Sequence, residues 1–75
     1  MKSDIIALLN ELEEGQKKQL FEIGRRIVPN LTQEDLLQPN DYPELENHPH
    51  FRYEEGILAG IQSVKAAVLY SPQSS

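Results

Sequence analysis

The sequence predicts an all-α fold: two long antiparallel helices joined by a proline-rich connection with one or two short helices, dimerising into a four-helix bundle. Three observations predict it. Apolar residues recur at helical spacing from Ile5 to Ile27, the same period returns from Phe51 to Val68, and Pro29, Pro39, Pro43 and Pro49 punctuate the stretch around and between these runs. Signals for strands are absent.

The first long helix comes from phase. Counting about 100° per residue from Ile5, the residues Leu8, Leu9, Leu12, Gln16, Leu20, Ile23 and Ile27 fall within about 60° of it. The stripe keeps its phase across Gly15, which predicts one helix from about Asp4 to Val28. A glycine costs roughly 1 kcal/mol relative to alanine, so two helices meeting at Gly15 stay open as the alternative. Pro29 sets the end, because its ring cannot continue the ladder and the residue before it is pushed out of α geometry.

In the connection, Thr32 can cap a short helix over Gln33 to Gln38, with Asp35 at its third position and Leu31 and Leu36 placed as a hydrophobic staple. Pro39 closes it. Asp41 and Glu44 have the spacing of a second capping box, which predicts a single turn over Pro43 to Glu46. From Pro49 the helical period resumes, with Tyr53, Ile57, Ile61, Val64 and Val68 on one face and Phe51, Leu58 and Leu69 beside it. Gly56, Gly60, Ser63 and Ala67 form a flank of small residues where another backbone can approach, within or between chains.

Seventy-five residues bound a single domain, expected over 1–70 with a disordered tail at 71–75. Below roughly 70 to 80 residues a core supplies only a few kcal/mol, and without cysteine no disulfide can add to it. Apolar residues outside the main stripes, Ile6, Phe21, Val28, Leu58 and Leu69, leave more surface than two helices can cover. A homodimer is the expected answer.

Charge narrows the function classes. Seven Lys and Arg stand against twelve Asp and Glu, a formal net charge of -5, which disfavours nucleic acid and anionic membranes as partners. No secretory signal is read, because Ile5 to Leu9 stops at Asn10 and Glu11, and no stretch reaches the roughly 20 apolar residues of a membrane span. A soluble, cytoplasmic protein is expected. Lys17, Lys18, Arg25 and Arg26 each follow a carboxylate by three or four residues, Glu13, Glu14 or Glu22, so the basic doublets are expected to form a salt-laced face.

The acidity is concentrated. Residues 29–55 hold seven acidic side chains, Glu34, Asp35, Asp41, Glu44, Glu46, Glu54 and Glu55, against Arg52 alone. A stiff segment with exposed aromatics is a natural docking surface, because little order is lost when it binds. Asp41, Tyr42, Glu44, Glu46, His48, His50, Phe51 and Tyr53 are therefore the candidate partner-binding residues for an unidentified protein. The bland alternative is that Tyr42, Phe51 and Tyr53 lid the end of the helix pair.

Catalysis is not expected. Ser3 and Thr32 have no histidine at a supporting position, Ser63 lies in the small-residue flank, and no glycine-rich phosphate loop exists. His48 and His50 with Glu44, Glu46 and Glu54 are the one group with metal-ligand chemistry, but the spacing is not that of a helical zinc pair. No catalytic residue, cofactor or metal ligand is assigned. The sequence reads as a small non-enzymatic interaction or adaptor protein; the alternative is a metal- or small-ligand-binding protein using His48 and His50.

Overall fold

Residues 2–38 and 41–71 are described by a computed structural model of the chain. Helix α1 spans Lys2–Ile27, a 3₁₀ turn covers Asp35–Leu37, helix α2 is Pro43–Glu46 and helix α3 is Pro49–Tyr70. No strand occurs among the described residues.

α1 passes through Gly15 without a break, so the phase argument holds over the glycine penalty. At its end the Val28 amide still donates to Gly24 O at 2.7 Å, Pro29 stops the ladder, and Leu31 N turns back to Val28 O at 3.0 Å. Arg25 donates from Nε and Nη2 to Pro29 O at 3.3 and 3.1 Å, a cation on the negative end of the helix dipole.

The capping pair after α1 forms as expected: Asp35 N donates to Thr32 Oγ1 at 3.3 Å and Thr32 N to Asp35 Oδ2 at 2.9 Å. The helix it starts is shorter than Gln33 to Gln38. Every backbone bond there, from Asp35 N to Thr32 O through Gln38 N to Asp35 O, reaches back three residues, so the segment winds as 3₁₀ over Asp35–Leu37 only. The closure expected at Pro39 lies outside the described residues. α2 occupies the expected Pro43–Glu46, but its cap is Tyr42 without a side-chain bond, and Asp41 does not cap it. Pro43 supplies the start, since its missing N–H is one the first turn leaves unbonded anyway.

α3 opens on His48, whose Nδ1 accepts from Phe51 N at 3.4 Å, with Pro49 at the first helical position. It ends at Tyr70, and Ser71 caps it by donating from N and Oγ to Val68 O. The rest of the tail, residues 72–75, lies outside the described residues.

The core gathers at one end. Leu20, Ile23, Leu31, Leu45 and Phe51 are buried together, with Ile27, Val28, Leu36, Tyr42 and Leu58 packed around them. All belong to the last part of α1, the connection and the first part of α3, because the connection folds back over the helix pair there. Gly24 lets it approach: a Cβ at this position would stand 2.6 Å from Leu31 Cδ2 and 3.6 Å from Leu36 Cδ2. The expected staple thus closes over a glycine. Beyond this knob, α1 and α3 continue as a two-helix arm, and the whole measures 46 × 19 × 17 Å.

Candidate functional site

The arm is held by polar rungs. At its tip Lys2 Nζ donates to Leu69 O and Ser71 O at 3.2 and 3.3 Å, meeting the free carbonyls at the end of α3. Midway, Glu13 receives Lys65 Nζ on Oε1 at 2.8 Å and Gln62 Nε2 on Oε2 at 3.1 Å, with Lys17 3.8 Å away. These partners, Lys65 first, hold the Glu13 carboxyl below the usual glutamate range. At the base of the arm, Gln16 Nε2 donates to Glu54 O and Oε1 at 3.0 and 2.8 Å, Gln19 Nε2 donates to Oε1 at 2.9 Å, and His50 Nε2 lies 3.6 Å from Oε2. Glu54 is buried.

These rungs decide how the helices are rotated. On α1 the inward residues are Leu9, Glu13, Gln16 and Leu20, centred about 50° round from Ile5, so Ile5, Leu8 and Leu12 are left on one flank. On α3 the inward residues are Phe51, Glu54, Leu58, Ile61 and Lys65, and the apolar stripe through Tyr53, Ile57 and Val64 lies about 100° away in the same rotational sense. Because the helices are antiparallel, equal-handed offsets turn both stripes to the same side of the pair. The expected apolar face of α3 is therefore not its buried face. Leu8 is 56% exposed, Leu12 49% and Val64 53%.

On α3 this side has almost no charge. Between Gly56 and Tyr70 the one charged residue is Lys65, and it bends inward to Glu13 with its side chain 27% exposed. Among the described residues, nine large apolar side chains are exposed against six apolar ones that are buried. Gly56, Gly60, Ser63 and Ala67 are all exposed. No atom of a neighbouring element comes within 4 Å of a Cβ at Gly56 or Gly60, so close approach at these positions within the chain is not used.

The connection divides the expected partner-binding set. Asp41, Glu44, Glu46, His50 and Tyr53 are exposed, while Tyr42 and His48 are half-buried. Phe51 is 0% exposed and belongs to the core, so it cannot touch a partner; its burial follows from His48 and Pro49 fixing the first turn of α3 directly above α1. Glu54 and Asp35 also leave the acidic surface. Glu54 turns to Gln16 and Gln19, and Asp35 is occupied by the Thr32 amide and the Tyr42 hydroxyl, which lower its pKa while the carboxylate raises that of Tyr42. Of the three aromatics, Phe51 is core and Tyr42 is half-buried, which leaves Tyr53 exposed along with Asp41, Glu44 and Glu46.

His48 spends Nδ1 on its cap and His50 faces Glu54, so the two imidazoles do not converge. No group of three His, Cys, Asp or Glu side chains able to hold a metal is found among the described residues.

The basic doublets differ from the expected salt-laced face. Among the described residues only Lys17 of the four pairs with carboxylates, Glu13 and Glu14, whereas Arg25 caps α1 and lies 5.6 Å from the Phe21 ring centroid. Helix exposure explains this, since such pairs gain only tenths of a kcal/mol in water. Beside them runs an open trough of about 1260 Å³ lined by Phe21, Leu36, Leu37 and Leu58 together with charged side chains of both signs.

No helix among the described residues is long and apolar enough to cross a membrane. Comparison with family models, curated proteins and solved structures finds no match to this chain.

Proposed function

We propose that this chain is a non-enzymatic association protein whose working surface is the open, uncharged side of the helical arm. The observation that carries the reading is the scarcity of charge on α3 from Gly56 to Tyr70, where Lys65 alone is charged and pairs with Glu13, in a chain that is 25% charged, beside exposed Ile5, Leu8 and Leu12. Isolated apolar residues on a surface are ordinary, but a continuous apolar strip across two helices marks a surface that another protein covers. The knob supplies the fold's own core and the polar rungs fix the arm, leaving the apolar strip available. Asp41, Glu44 and Glu46 add an acidic border at the knob end, suited to steering a partner rather than binding it tightly.

A photo-crosslinking residue placed at Val64, with Glu11 on the outer side of α1 as the control, tests this reading in cells. A discrete protein adduct from position 64 and none from position 11 is expected. No adduct from either position overturns it.

A further inference from the structure

We infer that the partner of the arm is a second copy of this chain, laid arm against arm about a two-fold axis so that the two hairpins close a four-helix bundle. This rests on the association reading above and names what occupies the same surface.

Size, shape and charge agree on that occupant. The arm, about 18 residues or roughly 27 Å of α1 across a molecule 19 Å wide, offers on the order of 500 Å² of projected area per copy, which reaches the roughly 1,000 Å² in total that a biological interface needs. A two-helix layer with one apolar side is half of a four-helix bundle, and a layer of equal length carrying the same strip completes it. Two-fold pairing requires a self-complementary surface. The strip through Leu8, Leu12, Ile57 and Val64 meets that requirement, because an uncharged surface has no like charges to bring together.

The net charge of -5 sets the orientation. Its source is the connection, where residues 29–55 hold seven acids and one base, and the connection lies at the knob end of a 46 Å molecule. Overlapping the arms in opposite directions places the two acidic knobs at opposite ends, far beyond the Debye length of about 8 Å at physiological salt. Parallel arms would set the knobs side by side. A foreign partner would be selected chiefly through complementary charge, and the middle of this surface offers none.

Sedimentation equilibrium on the full chain, from low to high micromolar concentration, tests the inference. The expected mass is about twice the 8.6 kDa of one chain. Leu8→Glu with Val64→Glu should raise the dimer dissociation constant by at least about 30-fold, since each places a charge at the centre of the interface. Circular dichroism reports whether that variant keeps its helices, and Leu8→Ser with Val64→Ser is the milder substitute if it does not. A wild-type chain that stays single over the whole range overturns the inference. So does a dimer that none of these substitutions weakens. A single chain whose Val64 still crosslinks to a different protein leaves the association reading standing without the second copy, and a single chain with no adduct removes both.

Discussion

Glu13 and Lys65 stand 52 residues apart in sequence and meet at 2.8 Å across the middle of the arm. The contact aligns α1 with α3 and turns Lys65, the one charged residue between Gly56 and Tyr70, inward. Lys65→Met leaves the Glu13 carboxylate facing an apolar neighbour. A lower melting temperature is expected, and the measured change should exceed that of Lys18→Met, which breaks no ion pair among the described residues.

The same contact sets an acid limit. Lys65, then Gln62, hold the folded-state pKa of Glu13 below its ordinary value of about 4.5, so the carboxylate's contribution is fully present above that value and is lost as pH falls through the lower folded pKa. Melting curves collected from neutral pH down to pH about 3 should show a decline beginning near 4.5. With Gln in place of Glu13, that part of the decline should vanish.

Tyr42 limits the alkaline side. Its hydroxyl donates to Asp35, and the nearby carboxylate raises its pKa above the ordinary 10.0. The bond therefore stabilises the fold below that pH and is lost as pH rises through the higher folded value. Ultraviolet titration of the three tyrosines should show one ionising later than the others, and Tyr42→Phe should remove that late step. An unchanged late step in the variant would assign it to Tyr53 or Tyr70 instead.

Two glycines on one helix should respond oppositely to alanine. At Gly15 nothing comes within 4 Å of the added methyl, and the better helix former should stabilise by about 0.5–1 kcal/mol. At Gly24 the methyl meets Leu31 Cδ2 at 2.6 Å, and Leu31 is itself 2% exposed, so it has nowhere to move. Overpacking of this kind costs about 1–3 kcal/mol, which outweighs the propensity gain. Urea unfolding of both variants checks the pair of signs.

Phe51 and Tyr53 separate core from surface. Phe51→Ala should lose about 3–5 kcal/mol because it empties the centre of the buried cluster. Tyr53→Ala, at an exposed position, should stay within about 0.5 kcal/mol of the parent protein. Chemical denaturation of the two variants side by side makes the comparison.

The helices themselves were legible because periodicity and proline are local signals. α1, α2 and α3 lie within a residue or two of where phase, Pro29, Pro43 and Pro49 place them. Their rotation was not legible. An apolar count centres α3 on Tyr53, Ile57 and Val64, but the helices turn to satisfy Glu13 with Lys65 and Gln16 with Glu54, since a carboxylate held without partners costs more than an exposed side chain gains. The available signal was a pair of acids and a glutamine lying within or beside the apolar stripes, Glu13 and Gln16 on one helix and Glu54 on the other. Gly24 gave no signal at all. Its role depends on where Leu31 returns after the turn, which spacing along α1 does not encode.

Placing the main buried cluster beneath the connection gives the molecule a clasped end and a loose one. Amide protons of Leu20 to Ile27 should exchange with solvent most slowly, and those near Lys2 and Tyr70 soonest, as the helix tips fray without disturbing the buried cluster. Sequence drift in the arm can then alter its exposed side while the clasp keeps the chain folded.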